Sequence, residues 1–308
     1  MASGVNAAIK ARAKINLFLH VGEKREDGFH PLQSLAVFAD FGDRLSAEDA
    51  DDLSLVLEGP FAAGLEGGDN LVLRAARALA ERAGRPAQAK ITLTKNLPLA
   101  SGVGGGSADA AAALRLLSNL WQLKYDEKVL RDIGATLGSD IPVCVRSQPA
   151  FMEGRGEVLS PVTSLPQLPL LLVNPRVAIP TADIFAALNA RRGVGMKLPS
   201  GGFTDLADLL RFLEMTNNDL EAPAKIREPV IDDVLNALRR MPGALFTRMS
   251  GSGATCFALM PDEGGATRAA AVLKEKYPNW WVQPALVPDI GITREVAGRD
   301  IGPTPDGL

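Results

Sequence analysis

The stretch PLASGVGGGSADAAAAL, residues 98–114, decides how the rest of the chain is read. Four glycines in five positions (Gly102, Gly104, Gly105, Gly106) run into Ser107 and then into an alanine-rich segment. Alanine has the best intrinsic helix propensity, and Leu114, Leu116 and Leu117 add an apolar stripe, so the segment predicts a helix. Ser107 is placed to cap that helix by accepting a bond from a first-turn N–H. The upstream glycines admit positive φ and leave backbone N–H groups uncovered. An amide-lined loop feeding a helix N-terminus is an anion site, and phosphate is the usual anion. A surface linker has a similar composition, but it is rarely bounded by a strand (residues 89–93) and a long alanine helix. No Lys-Ser or Lys-Thr follows the glycines, which argues against a P-loop. The spacing G-x-G-G-G, with no strand ending on the first glycine and no βαβ unit around it, argues against a dinucleotide fingerprint.

Working outward toward the N-terminus, Ala13, Ile15, Leu17, Leu19 and Val21 alternate with Lys14, Asn16, Phe18 and His20. That is the period of a strand with one buried face. Lys14 alone reads as a solvated charge, but Asn16 on the same face, between apolar neighbours, weighs toward a recessed polar site. Asp27-Gly28 signals a turn. Phe29 and His30 then precede a strand-like run at residues 35–41. On residues alone they read as loop anchors; the alternative is a ring and a hydrogen-bonding edge offered to a planar ligand. A strand at residues 53–58 and a helix beginning near residue 70, capped by Asp69 or Asn70 and stopped at Gly84, lead back to the glycine loop.

Toward the C-terminus, Asp126 caps a second helix that stops at Gly138. Gly138-Ser139-Asp140-Ile141-Pro142 follows, and the proline holds Asp140 in a turn ahead of a short strand VCV. An Asp in such a turn is most often a local cap, and any further role depends on what it faces. The proline-rich residues 160–169 mark a boundary. Beyond it come a strand LPLLLVNP, a Thr181-capped helix containing Phe185, a glycine-rich loop at 193–203, and helices at 205–215 and 229–240. Two strands pinched around Gly251-Ser252-Gly253, a helix at 267–277 and a strand WWVQPALV complete the half. Mixed strands and helices without strict alternation predict an α+β class.

A chain of 308 residues suffices for two domains, and 46% hydrophobic with 22% charged residues is a globular profile. The 33 basic and 36 acidic residues give a net charge of −3, with no basic stripe to favour nucleic acid and no cationic run to favour a membrane surface. Cys144 and Cys256 sit in apolar, strand-like contexts and read as buried thiols of a reducing compartment. With no signal peptide and no spanning segment recognised, a cytoplasmic protein is expected.

Four separated motifs, A-K-I-N at 13–16, P-L-A-S-G-V-G-G-G-S-A-D-A at 98–110, G-S-D-I-P at 138–142 and S-G-S-G-A-T-C-F at 250–257, together resemble the GHMP kinase superfamily. D-G-F-H at 27–30 resembles its branch acting on a cytidine diphosphate-linked methylerythritol in the non-mevalonate isoprenoid route. The resemblance implies an α+β fold with an N-terminal domain like domain 2 of ribosomal protein S5 (1–160), a ferredoxin-like C-terminal domain (161–295) and a loose tail (296–308). It implies transfer of the ATP γ-phosphoryl group to a 2-hydroxyl, with Asp140 as general base and Lys14 beside it. Asn16 would hold the acceptor end, Phe29 and Phe185 would sandwich the cytosine, His30 would bond its edge, and Thr181 would lie with them. Asn70 and Lys95 would line the adenine pocket. Pro98, Leu99, Ala100, Ser101, Gly102, Val103, Gly104, Gly105, Gly106, Ser107 and Ala108 would wrap the triphosphate with Mg²⁺.

Asp109 reads as a first-turn helix charge. The resemblance makes Ser107 a metal or phosphate contact, but the family usually has Ser where Ala108 stands, and that lost hydroxyl leaves the metal ligands on the loop unassigned. The small-molecule substrate and ATP are the expected partners of a monomer or weak homodimer. Other readings on the same fold are a homoserine, mevalonate or sugar kinase, or a non-catalytic nucleotide-binding regulator. Retention of both Lys14 and Asp140 speaks against the regulator. An RNA-binding role for the S5-type fold conflicts with the acidic balance.

Overall fold

The first strand is longer and more enclosed than its alternation predicts. In the computed structural model, which describes residues 7–26, 28–63, 65, 70–188 and 193–290, strand β1 (Ala7–Val21) pairs antiparallel with β2 (Leu32–Glu48). Lys14, Asn16 and His20, on the polar face of the alternation, are nearly as buried as Ile15 and Leu17, which agrees with a recessed polar site at Lys14 and Asn16. A helix covers part of the strand, and a second sheet packs on Ala13, Ile15 and Leu17. Register shifts between Arg12 and Lys14 and between Asn16 and Leu19 redirect side chains along it.

Strand β3 (Leu53–Glu58), helix α1 (Leu71–Arg82) and strand β4 (Ala89–Thr94) form a parallel crossover. A βαβ unit therefore does precede the glycine loop, although the loop follows its second strand. Helix α2 (Gly105–Leu120) comes next, then α3 (Glu127–Leu137), α4 (Ile141–Arg146), β5 (Ala150–Glu153) and β6 (Val158–Pro161). The sheet order is β3-β4-β2-β5-β6, with β1 also on β2. Helices α1 and α2 bury their apolar stripes against this sheet, as Leu79, Leu114 and Leu117 join Phe38, Leu45 and Ile91 in one core.

The second half runs β7 (Leu168–Asn174), α5 (Thr181–Ala186), α6 (Leu206–Glu214), α7 (Glu221–Arg227), α8 (Val230–Arg239), β8 (Phe246–Met249), β9 (Cys256–Leu259), α9 (Glu263–Lys276) and β10 (Trp281–Val287). Its antiparallel sheet has the order β10-β7-β9-β8, the ferredoxin-like arrangement. Helices α8 and α9 pack on one face through Val234, Leu235 and Leu273. The other face carries Leu170, Leu172 and Phe257 into a core shared with Ile15, Leu17 and Phe18. Among the described residues no helix is long and apolar enough to cross a membrane.

Three local expectations are corrected. VCV is not a strand but the body of α4, with Pro142 in its first turn where a missing N–H costs nothing. A short, wholly buried apolar run has no periodicity to tell helix from strand. Ser107 is not the cap of α2: the helix starts earlier, at an N-cap Gly104 in the left-handed region (φ 64°). Thr181 begins α5 behind an N-cap Pro180 rather than capping it. Asn70 caps α1, its Oδ1 accepting from Val72 N at 2.9 Å; Asp69 lies outside the described residues, as do Asp27, residues 189–192 ahead of the loop 193–203, and the tail 296–308.

Candidate active site

A cavity of about 620 Å³ opens where the glycine loop meets the turn at residues 251–253. Backbone sterics set that meeting. A Cβ at Gly102 (φ +75°) would stand 2.6 Å from the carbonyl oxygens of both Ser250 and Gly253. Ser250 Oγ donates to Gly102 O at 3.1 Å and accepts from Asn16 N at 3.1 Å, so one hydroxyl joins β1 to both loops. Thr255 N donates to Ser101 O, and Lys14 N to Val103 O, each at 3.0 Å. Asn218 Nδ2 holds the second turn through Met249 O (2.8 Å) and Gly251 O (2.7 Å).

Lys14 and Asp140 converge here. The Lys14 Nζ lies 2.7 Å from Asp140 Oδ2, with the lysine side chain 4% and the aspartate side chain 39% exposed. Asp140 occupies the N-cap position of α4, yet its side chain caps nothing. Asn16, on the Lys14 face, donates through Nδ2 to Ser34 Oγ at 2.7 Å and borders the same cavity.

The glycine loop forms one wall. Pro98, Leu99, Ala100, Ser101 and Gly102 border the cavity, as do Gly104, Gly105, Gly106 and Ser107. With no side-chain cap on α2, the first N–H groups of the helix have no intrahelical partner, which is the donor array an anion needs. Val103 and Ala108 do not border the cavity; both are buried in the core beneath it.

Asn70 and Lys95 line the far end. Lys95 is 2% exposed, and its ammonium is sequestered by two carboxylates, Asp43 and, at 2.7 Å, Asp109. Asp43 also accepts from Asn96 N (2.5 Å) and Leu97 N (2.9 Å). Burial pushes the Asp109 carboxyl up to about 8, against the pull of Lys95, and Asp43 nearby adds to the rise. Burial disfavours the charge on Lys95, but Asp109 and Asp43 together outweigh it and raise the lysine. Asp109 is therefore not an exposed first-turn charge. It is a buried wall residue whose Oδ1 has no hydrogen-bond partner among the described residues. Asp43 and Asp109 were missed as site residues; the available signal was a lone Asp inside a run of alanines destined for the core.

At the other end, Thr181 and Phe185 of α5 border the cavity, and Thr181 Oγ1 shares a 2.9 Å hydrogen bond with Ser252 Oγ. The His30 ring is 6.1 Å from that of Phe185, tilted by 30°. Its Nδ1 donates to Gly22 O at 3.0 Å, which in the neutral imidazole makes Nε2 the acceptor. Phe29 is 51% exposed, with the Arg155 guanidinium 4.4 Å from its ring centre. Neither His30 nor Phe29 borders the cavity. Gly251 and Ser252, which do, went unassigned although their motif was noted.

Two family models match the chain: that for the GHMP kinases N terminal domain over residues 70–148, and that for GHMP kinases C terminal over residues 197–279. The chain is 50% identical over 279 residues to the 4-diphosphocytidyl-2-C-methyl-D-erythritol kinase of Parvibaculum lavamentivorans, covering 89% of this chain and 95% of that one. It is 49% identical over 274 residues to the Ruegeria pomeroyi enzyme of the same name, covering 88% and 95%. A crystal structure of 4-(cytidine 5'-diphospho)-2C-methyl-D-erythritol kinase superposes with a TM-score of 0.75 at 33% identity, over 91% of this chain and 99% of that one. A homoserine kinase from Cytophaga hutchinsonii shares the fold, with a TM-score of 0.69 at 18% identity, over 94% and 97%. A cavity walled by a glycine loop, with an ammonium–carboxylate pair beside it, thus lies in a chain that belongs to the GHMP kinases and, within them, to the 4-diphosphocytidyl-2-C-methyl-D-erythritol kinases.

Proposed function

We propose that this protein transfers the γ-phosphoryl group of ATP to the 2-hydroxyl of 4-diphosphocytidyl-2-C-methyl-D-erythritol, with Asp140 as the general base. The observation that carries the reading is the Lys14–Asp140 pair, 2.7 Å apart and facing the glycine loop across one cavity. A hydroxyl is a poor nucleophile until a base within hydrogen-bond reach takes its proton. Asp140 is partly open to the cavity and is not consumed as a helix cap, so its carboxylate is available to accept that proton. Lys14 offsets the negative charge that gathers on the reacting oxygens. Phosphoryl transfer is otherwise alignment and charge stabilisation, which the N–H groups at the start of α2 supply to the phosphates.

Asn16 holds the acceptor alcohol in this reading, and Asn70 and the wall around Lys95 receive the adenosine end. Phe185 stacks on the cytosine while His30 Nε2 accepts from its exocyclic amine. Phe29 closes from the other side only if its loop moves from the position it holds over Arg155. Mg²⁺ fits the donor set as a companion of ATP. Ser107 borders the cavity and would offer the ion one hard oxygen, with the phosphates of ATP supplying others. Bound there, the ion would neutralise phosphate charge.

The test is a steady-state assay with ATP and the cytidylylated alcohol. Asp140→Asn is expected to lower kcat by about 10²–10⁴-fold while the KM for each substrate changes only a few-fold. Unchanged kcat sinks the assignment of the base.

A further inference from the structure

A second concavity, of about 320 Å³, gathers positive charge away from the active cavity. Lys10 and Arg12 of β1, Arg115 of α2, and Arg146, Ser147 and Gln148 at the end of α4 line it, with no carboxylate among them. Arg12, Arg115 and Arg146 enter no ion pair among the described residues. The Nε atoms of Arg115 and Arg146 are buried and have no hydrogen-bond partner. Other arginines with an unpartnered Nε are compensated elsewhere. Arg85 lies 4.6 Å over the Trp121 ring, and Arg131 reaches Glu127 at 3.5 Å. Burial, the largest cause, and the neighbouring Arg12 pull Arg115 below the usual guanidinium range, against opposing effects of Cys144 and Glu127. Like charges converge here: the Lys10 ammonium donates to Asp40 O, whereas the Arg115 and Arg146 Nε donors have no partner among the described residues.

We propose that this concavity binds a diphosphate group, free or as the end of a small ester, at a site separate from that of the nucleotide. Guanidinium forks match phosphate oxygens two at a time, and several converging cations call for more charge than one small monoanion brings. Ser147, in the left-handed region at φ 50°, and Gln148 add neutral donors at the rim. The site is built on the same three elements that frame the active cavity. β1 carries Lys14 two residues beyond Arg12, α2 opens with the glycine loop, and α4 begins beside Asp140 and ends at Arg146. An occupant here bridges those elements from the opposite end.

The test is calorimetric titration of the whole protein with inorganic diphosphate, the active cavity being saturated beforehand with a non-hydrolysable ATP analogue and CMP. One saturable site is expected, weakened tenfold or more in both Arg12→Gln and Arg146→Gln. Arg85→Gln, whose Nε is equally unpartnered but lies outside the concavity, is expected to leave the affinity unchanged. Methyl diphosphate in place of the inorganic ion separates the two sources: tighter binding assigns the site to an ester, weaker binding to the free ion. No saturable binding by either probe, or equal affinity in wild type and in both lining variants, overturns the proposal.

Discussion

Asp109 shows how much a single side chain's role depends on burial. In the unfolded chain its carboxyl titrates in the ordinary range near 4, whereas in the fold burial carries it to about 8. The native state therefore keeps a proton that the unfolded state releases, and this group's contribution is lost as pH rises through that window. The stability of wild type minus that of Asp109→Asn is accordingly expected to fall between about pH 4 and pH 8. Urea denaturation of both proteins across that range measures it, and a flat or rising difference refutes the burial argument. Phe185 is the residue-scale test of the substrate. A base stacked on an aromatic ring is worth about 1–3 kcal/mol, so Phe185→Ala is expected to weaken competitive inhibition by CMP by about five- to 150-fold. An unchanged inhibition constant excludes stacking there.

At the scale of elements, the glycine loop is a joint as well as a phosphate cradle. Gly102 holds φ +75° with two carbonyls crowded where a side chain would begin, whereas a Cβ at Gly106 meets only Leu71 Cδ1 at 3.6 Å. Gly102→Ala therefore incurs the left-handed penalty of about 1–2 kcal/mol plus the steric clash. Gly106→Ala, in the first turn of α2, meets neither. Thermal unfolding is expected to show a clear loss of stability in the first variant and little or none in the second. Equal melting temperatures would show that the two loops are not locked together at Gly102. The loop's composition was legible because glycine's freedom is a local property. The crossing at Ser250 was not, since the two partners lie 148 positions apart. Helix α4 was misread for a similar reason: all of its apolar residues are buried, and only their packing tells which faces they present.

For the molecule as a whole, the core joining the first sheet to the second leaves no seam at which the halves part freely. Unfolding is expected as one transition, coincident by far-UV circular dichroism and by the fluorescence of Trp121 in the first half and Trp280 and Trp281 in the second. Two separated transitions would mean that the shared core does not couple the halves. A ligand that fills the cavity binds residues from both halves, so an ATP analogue at about 100 times its Kd should add about 2.7 kcal/mol to the whole transition.

The sequence by itself determined what depends on near neighbours: the strand bearing Lys14 and Asn16, the amide-rich entry to a helix, the turn that presents Asp140, and the motif order that carried the family resemblance. Tertiary structure decided which polar groups leave water and which distant carboxylates meet one ammonium. Lys95 shows the difference, since its partners lie 52 and 14 positions away and are brought to it only when the sheet and α2 close over them. Local propensity acts over a few residues, whereas desolvation and charge pairing act through space.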